Sequence, residues 1–369
     1  MVATTLIDGE IVFACAGKSS LRAILPLIAR WYATERHRYE FRNDRNPYRT
    51  WITEIFMQQT QIAAGKEKLK TFLRRFPDVK TLAKGPESDV LAAFQGMGYY
   101  SRARNMFRAA QYIAANFKGK VPVSYDELLK IPGIGHYTAA IVSSIHNNEA
   151  ILANDANQAR VLSRLLLIGH KTGSKDFTQM ARAAAADLFG GELSAGDVNE
   201  ALMQWGQLIC RKTPLCGECF AQKHCLAYSK EEQRNFPVKG ERPEALDVLW
   251  VMSIYRKGSK YQVFQGTRNF PFLRGELLFP GFISLPGKNK DARLPEKIPP
   301  ARRNKLAVMA HSLPADFHHA ITRYRIAVKM VIASDPIEGG KFLTPAELKD
   351  ACHSSLMQKA LSRLDKLEF

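Results

Sequence analysis

Four cysteines fall within sixteen residues, as Cys210, Cys216, Cys219 and Cys225 in the spacing C-x5-C-x2-C-x5-C. Thiols at that density, with no paired histidine motif, argue for metal in a reducing compartment rather than a disulfide framework. A single C-x2-C fits an iron–sulfur loop better than a zinc ribbon, which is built from two such knuckles. Cys15 and Cys352 stand apart. A second stretch able to do chemistry runs from Ile131 to Arg160. There Pro132-Gly133-Ile134-Gly135 opens an apolar helix. Two glycines let main chain approach a phosphate without a Cβ in the way, and the free N–H groups of the following helix start donate to it. Such a contact positions a nucleic acid backbone and does not read its sequence. One loop later Asp155 is a lone carboxylate just before another helix, where N-capping is its simplest role.

Charge supports a polyanionic partner. The 369 residues carry 53 Lys+Arg against 35 Asp+Glu, a formal net charge of +18. Anionic lipid is the competing reading, but no apolar run is long enough to span a bilayer and no basic-then-apolar leader opens the chain, so nucleic acid is the expected partner and membrane is not.

The elements that must position these residues follow from periodicity. Residues 1–20 hold a short mixed segment that reads as a strand or a loose arm. An amphipathic helix is predicted over Leu21–Thr34, and Pro47 marks the next helix start. In that next helix Trp51, Ile52, Ile55, Phe56 and Ile62 make one apolar face, with Glu54, Gln58, Gln59 and Gln61 off the stripe. Helices are also predicted around Lys66–Arg75, Thr81–Ala83 and Glu87–Phe94. Gly96-Met97-Gly98-Tyr99-Tyr100 then breaks the pattern before a basic helix with Arg102, Arg104 and Arg108. Further helices are expected at Asn157–Ile168, Thr178–Phe189 and Val198–Ile209. A polar, proline-containing linker occupies 229–244. Beyond it LDVLWVMSIYR, KYQVFQG and RYRIAVKMVIA read as strands, KGSK as a turn and Leu348–Leu367 as a helix, which makes 245–369 a small α+β domain.

Several strings occur together in one order: ITEIFMQQTQ, GYY, the PGIG hairpin, Asp-x-Asn, NEAL and the cysteine loop. Together they resemble the adenine DNA glycosylases (MutY-like) of the helix-hairpin-helix, endonuclease III-like superfamily. The resemblance implies an all-α glycosylase domain over 21–228, with its hairpin at 131–138 and an iron–sulfur loop at 210–225. It further implies a 4Fe-4S cluster on Cys210, Cys216, Cys219 and Cys225. The usual first cysteine spacing is one residue longer than here, and Arg211, Lys212 and Lys223 on this loop would meet phosphates. Carried over residue by residue, Glu54 is the acid that protonates the leaving adenine, and Asp155 stabilises the oxocarbenium-like sugar. Asn157 holds the site by hydrogen bonding, Tyr137 hydrogen-bonds near the sugar, and Arg42 and Glu200 contact the base. Gln59 and Tyr99 or Tyr100 probe the duplex, and Gly133 and Gly135 bind its backbone. Tyr137 stands where the bifunctional relatives have a lysine that forms a Schiff base, so a monofunctional enzyme is implied. Glu40-Phe41-Arg42 replaces the usual Pro-Trp-Arg, which alters the aromatic lid.

The same resemblance makes 245–369 a MutT-like (Nudix-fold) domain that reads 8-oxoguanine opposite adenine. Phe317, His318 and His319 match a Phe-Ser-His reader loop, except that histidine replaces the serine. No nucleotide-hydrolase box is visible. The implied substrate is double-stranded DNA with 8-oxoguanine:adenine or G:A mispairs, acted on by a monomer. The compartment would be cytoplasmic in a bacterium and nuclear or mitochondrial in a eukaryote. Two alternatives stay open: a thymine or uracil mismatch glycosylase of the same superfamily, and a non-catalytic DNA-damage binding module.

Overall fold

The computed structural model describes residues 5–7, 10–12, 16–42, 46–58, 62–94, 100–238, 240, 244–267, 270–284, 292–295, 314–352 and 354–367. The chain divides into two compact units, Met1–Ala93 with Ser101–Glu241, and Phe94–Tyr100 with Arg242–Phe369. Among the described residues no helix is long and apolar enough to cross a membrane.

The first unit is helical after a small antiparallel pair, β1 (Thr5–Ile7) and β2 (Glu10–Val12). The first helix, α1 (Ala16–Glu35), begins earlier than the apolar pattern alone indicated. Next come α2 (Pro47–Met57), α3 (Ile62–Arg75), α4 (Val79–Lys84), α5 (Glu87–Ala93) and α6 (Tyr100–Asn116). The single stripe expected across Trp51 to Ile62 is corrected here. The helix ends at Met57, Ile62 opens α3, and α2 is buried from Thr50 to Phe56, Glu54 included, with Arg49 left exposed near its start. A helix buried over two turns on both its apolar and polar sides is a central one.

Periodicity did not reveal α7 (Tyr125–Leu129), whose single turn and a half is too short for a 3.6-residue pattern to register. It forms the first arm of the hairpin, and α8 (His136–Asn147) forms the second. Gly133 between them has φ +87°, and a Cβ there would lie 2.7 Å from Asn105 Cβ on α6. Gly135 has an ordinary φ and open space where its Cβ would be. The two glycines therefore differ: the first makes the turn, and the second keeps the helix start bare.

Three more long helices complete the unit: α9 (Ala156–Leu166), α10 (Lys175–Ala186) and α11 (Ala195–Leu208). Leu21, Ile24 and Ile28 of α1 pack with Val161, Leu162, Phe177, Leu202 and Trp205 in one core. Short turns and α12 (Leu226–Ser229) follow. The expected linker is tied to α9 at Phe236, whose carbonyl accepts from Arg164 Nε at 2.9 Å.

The second unit contains mixed sheets. Its larger sheet has the order β8 (Ala292–Leu294), β7 (Gly281–Ser284), β3 (Leu246–Ile254), β10 (Tyr324–Ile332), β9 (Phe317–Ile321). The central pair, β3 with β10, is parallel in a register running from Leu246↔Tyr324 to Ile254↔Ile332, and the other pairs are antiparallel. A smaller sheet has the order β11 (Lys341–Leu343), β5 (Lys260–Gln265), β4 (Arg256–Lys257), with β6 (Leu277–Leu278) also on β5. Trp250, Phe270, Phe279, Ile326 and Val328 fill the core with Leu348, Leu356 and Met357. The single helix expected over 348–367 is instead α13 (Pro345–Ala351), α14 (Ser355–Leu361) and a 3-10 turn, because Ser354 caps a new start by accepting from Met357 N at 3.2 Å.

Helices α9 and α11 come together at a glycine. A Cβ on Gly206 would lie 2.7 Å from Asn157 Cβ and 2.9 Å from the Asn157 carbonyl oxygen. Gly206→Ala is expected to lower unfolding stability by about 1–3 kcal/mol through overpacking, measured by urea denaturation; an unchanged midpoint would mean that the two helices separate freely.

Candidate active site

Glu54 owes its position to the cap of α2. Asn46 accepts from Tyr48 N at 2.9 Å and Arg49 N at 3.3 Å, with Pro47 preset for the first turn. That start carries Glu54 into the interior, where it is 9% exposed. Tyr137, from the first turn of α8, donates its hydroxyl to Glu54 Oε2, and Met203 Sδ lies 3.4 Å from the same hydroxyl. Burial pushes the Glu54 carboxyl up to about 7; the Tyr137 hydrogen bond and the Arg42 charge oppose the rise, while Glu200 and Asp155 add to it. Burial, together with the Glu54 and Asp155 carboxylates, also holds Tyr137 well above the ordinary phenol range, so it stays a neutral donor.

Asp155 has a contrasting environment. It caps α9 and accepts from Asn157 N at 3.1 Å and Gln158 N at 2.7 Å on Oδ1, and from Asn157 Nδ2 at 2.8 Å on Oδ2. Gln158 Oε1 returns the capping box to Asp155 N at 3.2 Å. Every partner donates, which suits an ionised carboxylate. Behind this cap, the Asn199 amide of α11 pins the loop, donating to the Ile151 carbonyl and accepting from Ala153 N. Arg160 donates to Asn157 Oδ1 at 2.8 Å, Gly206 O at 2.7 Å and Cys210 O at 2.7 Å, tying the capped loop to the start of the cysteine segment.

Arg42 and Glu200 adjoin this pair. Arg42 Nε is 3.8 Å from Glu200 Oε1, and Nη1 donates to Gln204 Oε1 at 3.1 Å. Tyr32 of α1 donates to Glu200 Oε2 at 2.8 Å. Glu54, Tyr137, Asp155, Arg42 and Glu200 thus act on one another electrostatically within the first unit.

All four clustered cysteines line one pocket, together with Arg164, Trp205 and Pro214. Phe220 holds the loop, stacked 5.3 Å from Trp31 and tilted against Trp205 at 4.7 Å. Arg164 is 3% exposed and donates to Cys210 Sγ at 3.4 Å and to the carbonyls of Arg211 and Lys212. Burial raises the Cys216 and Cys225 thiols, and takes Cys219 to about 11. Among the described residues no set of three or more His, Cys, Asp or Glu side chains closes on a single ion. The four thiols share this pocket with a buried cation able to offset thiolate charge.

The other predicted residues divide. Gln59 and Tyr99 lie outside the described residues. Tyr100 begins α6 and is 8% exposed. Phe317, His318 and His319 form edge strand β9 rather than a loop, because they pair with β10. Phe317 faces the core beneath Arg363, His318 is exposed, and His319 is partly covered near Ser355, with burial and Lys359 lowering its imidazole. Sequence reasoning assigned no role to Tyr32, Arg160, Arg164 and Gln204, whose only signal was a polar type inside an apolar helix pattern, nor to Asn199, which opens the NEAL string.

Residues 52–185 match the family model of the HhH-GPD superfamily base excision DNA repair protein. An adenine DNA glycosylase of Buchnera aphidicola subsp. Baizongia pistaciae is 30% identical over 240 residues, which covers 65% of this chain and 68% of that one. The chain belongs to the adenine DNA glycosylase family. Another member, from Buchnera aphidicola subsp. Schizaphis graminum, is 25% identical over 312 residues, covering 84% of this chain and 86% of its own. The human adenine DNA glycosylase is 30% identical over 228 residues, 42% of its length. Among solved structures, a thermostable thymine-DNA glycosylase superposes with a TM-score of 0.52 at 24% identity, covering 58% of this chain and 99% of that one, which is a likeness of fold. The chain is therefore a DNA glycosylase of base excision repair, a hydrolase of N-glycosidic bonds.

In this glycosylase the neutral form of Glu54 is favoured by folding. Its folded pKa, about 7, exceeds the ordinary 4.5, so the stability it contributes is complete below 4.5 and is lost as pH rises through about 7. Glu54→Gln should remove a pH-dependent loss of about 3 kcal/mol. Urea unfolding of both proteins at pH 5 and pH 8 measures it, and parallel pH profiles would contradict a buried neutral carboxyl.

Proposed function

We propose that this glycosylase excises adenine mispaired with 8-oxoguanine or guanine in duplex DNA. The observation that carries the reading is the contrast between two neighbouring carboxyls: Glu54, desolvated and half protonated near pH 7, and Asp155, clamped by three donors. Acid-catalysed loss of a purine needs a proton on the leaving base and a negative charge at the developing oxocarbenium ion, and two carboxyls divide that work when their environments differ. Glu54 gives its proton to N7 of the extruded adenine, the glycosidic bond breaks, and Asp155 stabilises the sugar cation until water adds. Tyr137 orients Glu54, and Asn157 orients Asp155. Arg42 and Glu200 contact the base. Tyr137 lacks the nucleophilic amine of a lyase, so the enzyme is monofunctional. Extrusion costs least for a mispaired base.

The hairpin supports DNA binding. Gly135 leaves the start of α8 bare, without a side-chain cap, so its N–H groups are available to a phosphate. Cys210, Cys216, Cys219 and Cys225 would hold a 4Fe-4S cluster, which when bound cross-links the loop and adds a redox-capable group beside Arg164. The mixed-sheet unit is a Nudix-like reader of 8-oxoguanine, with exposed His318 and neighbouring His319 as its contacts.

Single-turnover base release tests this on duplexes with A opposite 8-oxoguanine, A opposite G, T opposite G and U opposite G. Adenine release is expected, fastest opposite 8-oxoguanine. Its rate should fall about tenfold per pH unit above 7, as the Glu54 proton is lost, and vanish in Glu54→Gln with DNA binding intact. Release of thymine or uracil alone would move the enzyme to the mismatch branch of the superfamily. Binding without release would make it a damage sensor. Purified protein should also contain iron and acid-labile sulfide in equal amounts, both reduced by Cys219→Ser; iron-free protein of full activity would refute the cluster.

A further inference from the structure

Glu200 is held from behind by a residue that none of the sequence motifs includes. Tyr32 is 2% exposed in the core of α1, and its hydroxyl donates to Glu200 Oε2 at 2.8 Å across 168 residues of chain. Glu200, 4% exposed, turns its other oxygen toward Arg42, with Oε1 3.8 Å from Nε. Arg42 is steadied in turn by Gln204, which is fully buried, accepts from Nη1 at 3.1 Å and donates through Nε2 to the Glu35 carbonyl at 2.7 Å. A carboxylate that accepts from a phenol on one side and faces a guanidinium on the other is fixed in orientation and polarity.

We infer that Tyr32 is a positioning residue for base choice: by fixing Glu200 as an acceptor beside the donor Arg42, it sets the pocket to a 6-amino purine and against a 6-oxo purine. The inference rests on the proposed adenine excision. With N7 facing Glu54, the Watson–Crick edge of adenine offers the N6 amino donor next to the N1 acceptor, which complements one acceptor and one donor side by side. A 6-oxo purine offers O6 next to N1–H, the reverse pattern, and sets its O6 against the carboxylate. Holding the rotamer matters, because a swinging Glu200 loses that opposition at little cost. Burial and the Glu200 charge keep the Tyr32 phenol protonated, so it remains a donor at any working pH.

The test compares full-length wild type, Tyr32→Phe, Glu200→Ala and the double variant in single-turnover release of adenine, hypoxanthine and unsubstituted purine, each opposite the same partner base. The phenylalanine keeps the ring that packs the core, and a melting curve for each variant checks folding. Tyr32→Phe is expected to lower the adenine-to-hypoxanthine rate ratio roughly tenfold, the size of one hydrogen bond to a charged group. The change should fall mainly on the half-saturating enzyme concentration rather than the limiting rate. In the Glu200→Ala background the same substitution should leave the ratio unmoved. An unchanged ratio in Tyr32→Phe overturns the inference. So does an equal loss in both backgrounds, since it would assign Tyr32 a packing role only. Wild type that releases no adenine would strike the proposed function itself, which separates the two failures.

Discussion

The near contact of α9 with α11 is the constraint on which the catalytic unit depends. With no side chain at Gly206, Asn157 can pack directly on the α11 backbone, and Asn157 joins the Asp155 cap to Arg160. The same two helices contribute Glu200, the Asn199 clamp and Cys210 at the C-terminal end of α11. Moving them apart by the width of one methyl group would displace the Asp155 cap, the Glu200 carboxylate and the first thiol together. Rigid packing of this kind is how a fold holds several polar groups to sub-ångström tolerance.

Desolvation then differentiates groups of similar type. Glu54 has a single side-chain donor and little water, whereas Asp155 has three donors at a helix start, where backbone dipoles favour negative charge. In the proposed reaction the two carboxyls divide acid and electrostatic roles through these surroundings, with no difference in chemical kind. Arg42 and Tyr137 moderate the result, because each lowers the Glu54 pKa against the burial that raises it.

Much of this was legible in the sequence. Helical spacing located α3, α5, α9, α10 and α11 to within a few residues, and the strands of the second unit stood out by their β-branched and aromatic content. The cysteine spacing identified four residues that do share one cavity. What stayed hidden was tertiary. The enclosure of Glu54 arises because neighbours cover the polar side of α2, and no single-helix pattern reports neighbours. Tyr32 looked like an ordinary core aromatic, since its polar partner lies 168 residues away. The segment Phe317–Ile321 has two histidines and weak strand propensity, and it is a strand only because β10 supplies the hydrogen bonds.

The parallel pairing of β3 with β10 bears on how the chain is made. These strands align residues 78 positions apart, as in Asp247 with Arg325, and the larger sheet has no centre until the later strand exists. The helices bearing Glu54, Tyr137, Asp155 and Glu200 all precede residue 242 and close largely over shorter distances. On a ribosome the carboxylates of the candidate site therefore emerge long before the second unit can begin its central pairing, and sheet formation waits on loop closure over a long stretch of chain. A ribosome stalled late in translation would hold a helical unit with its full set of acids and an unpaired β3, a strand rich in buried apolar residues and exposed to aggregation.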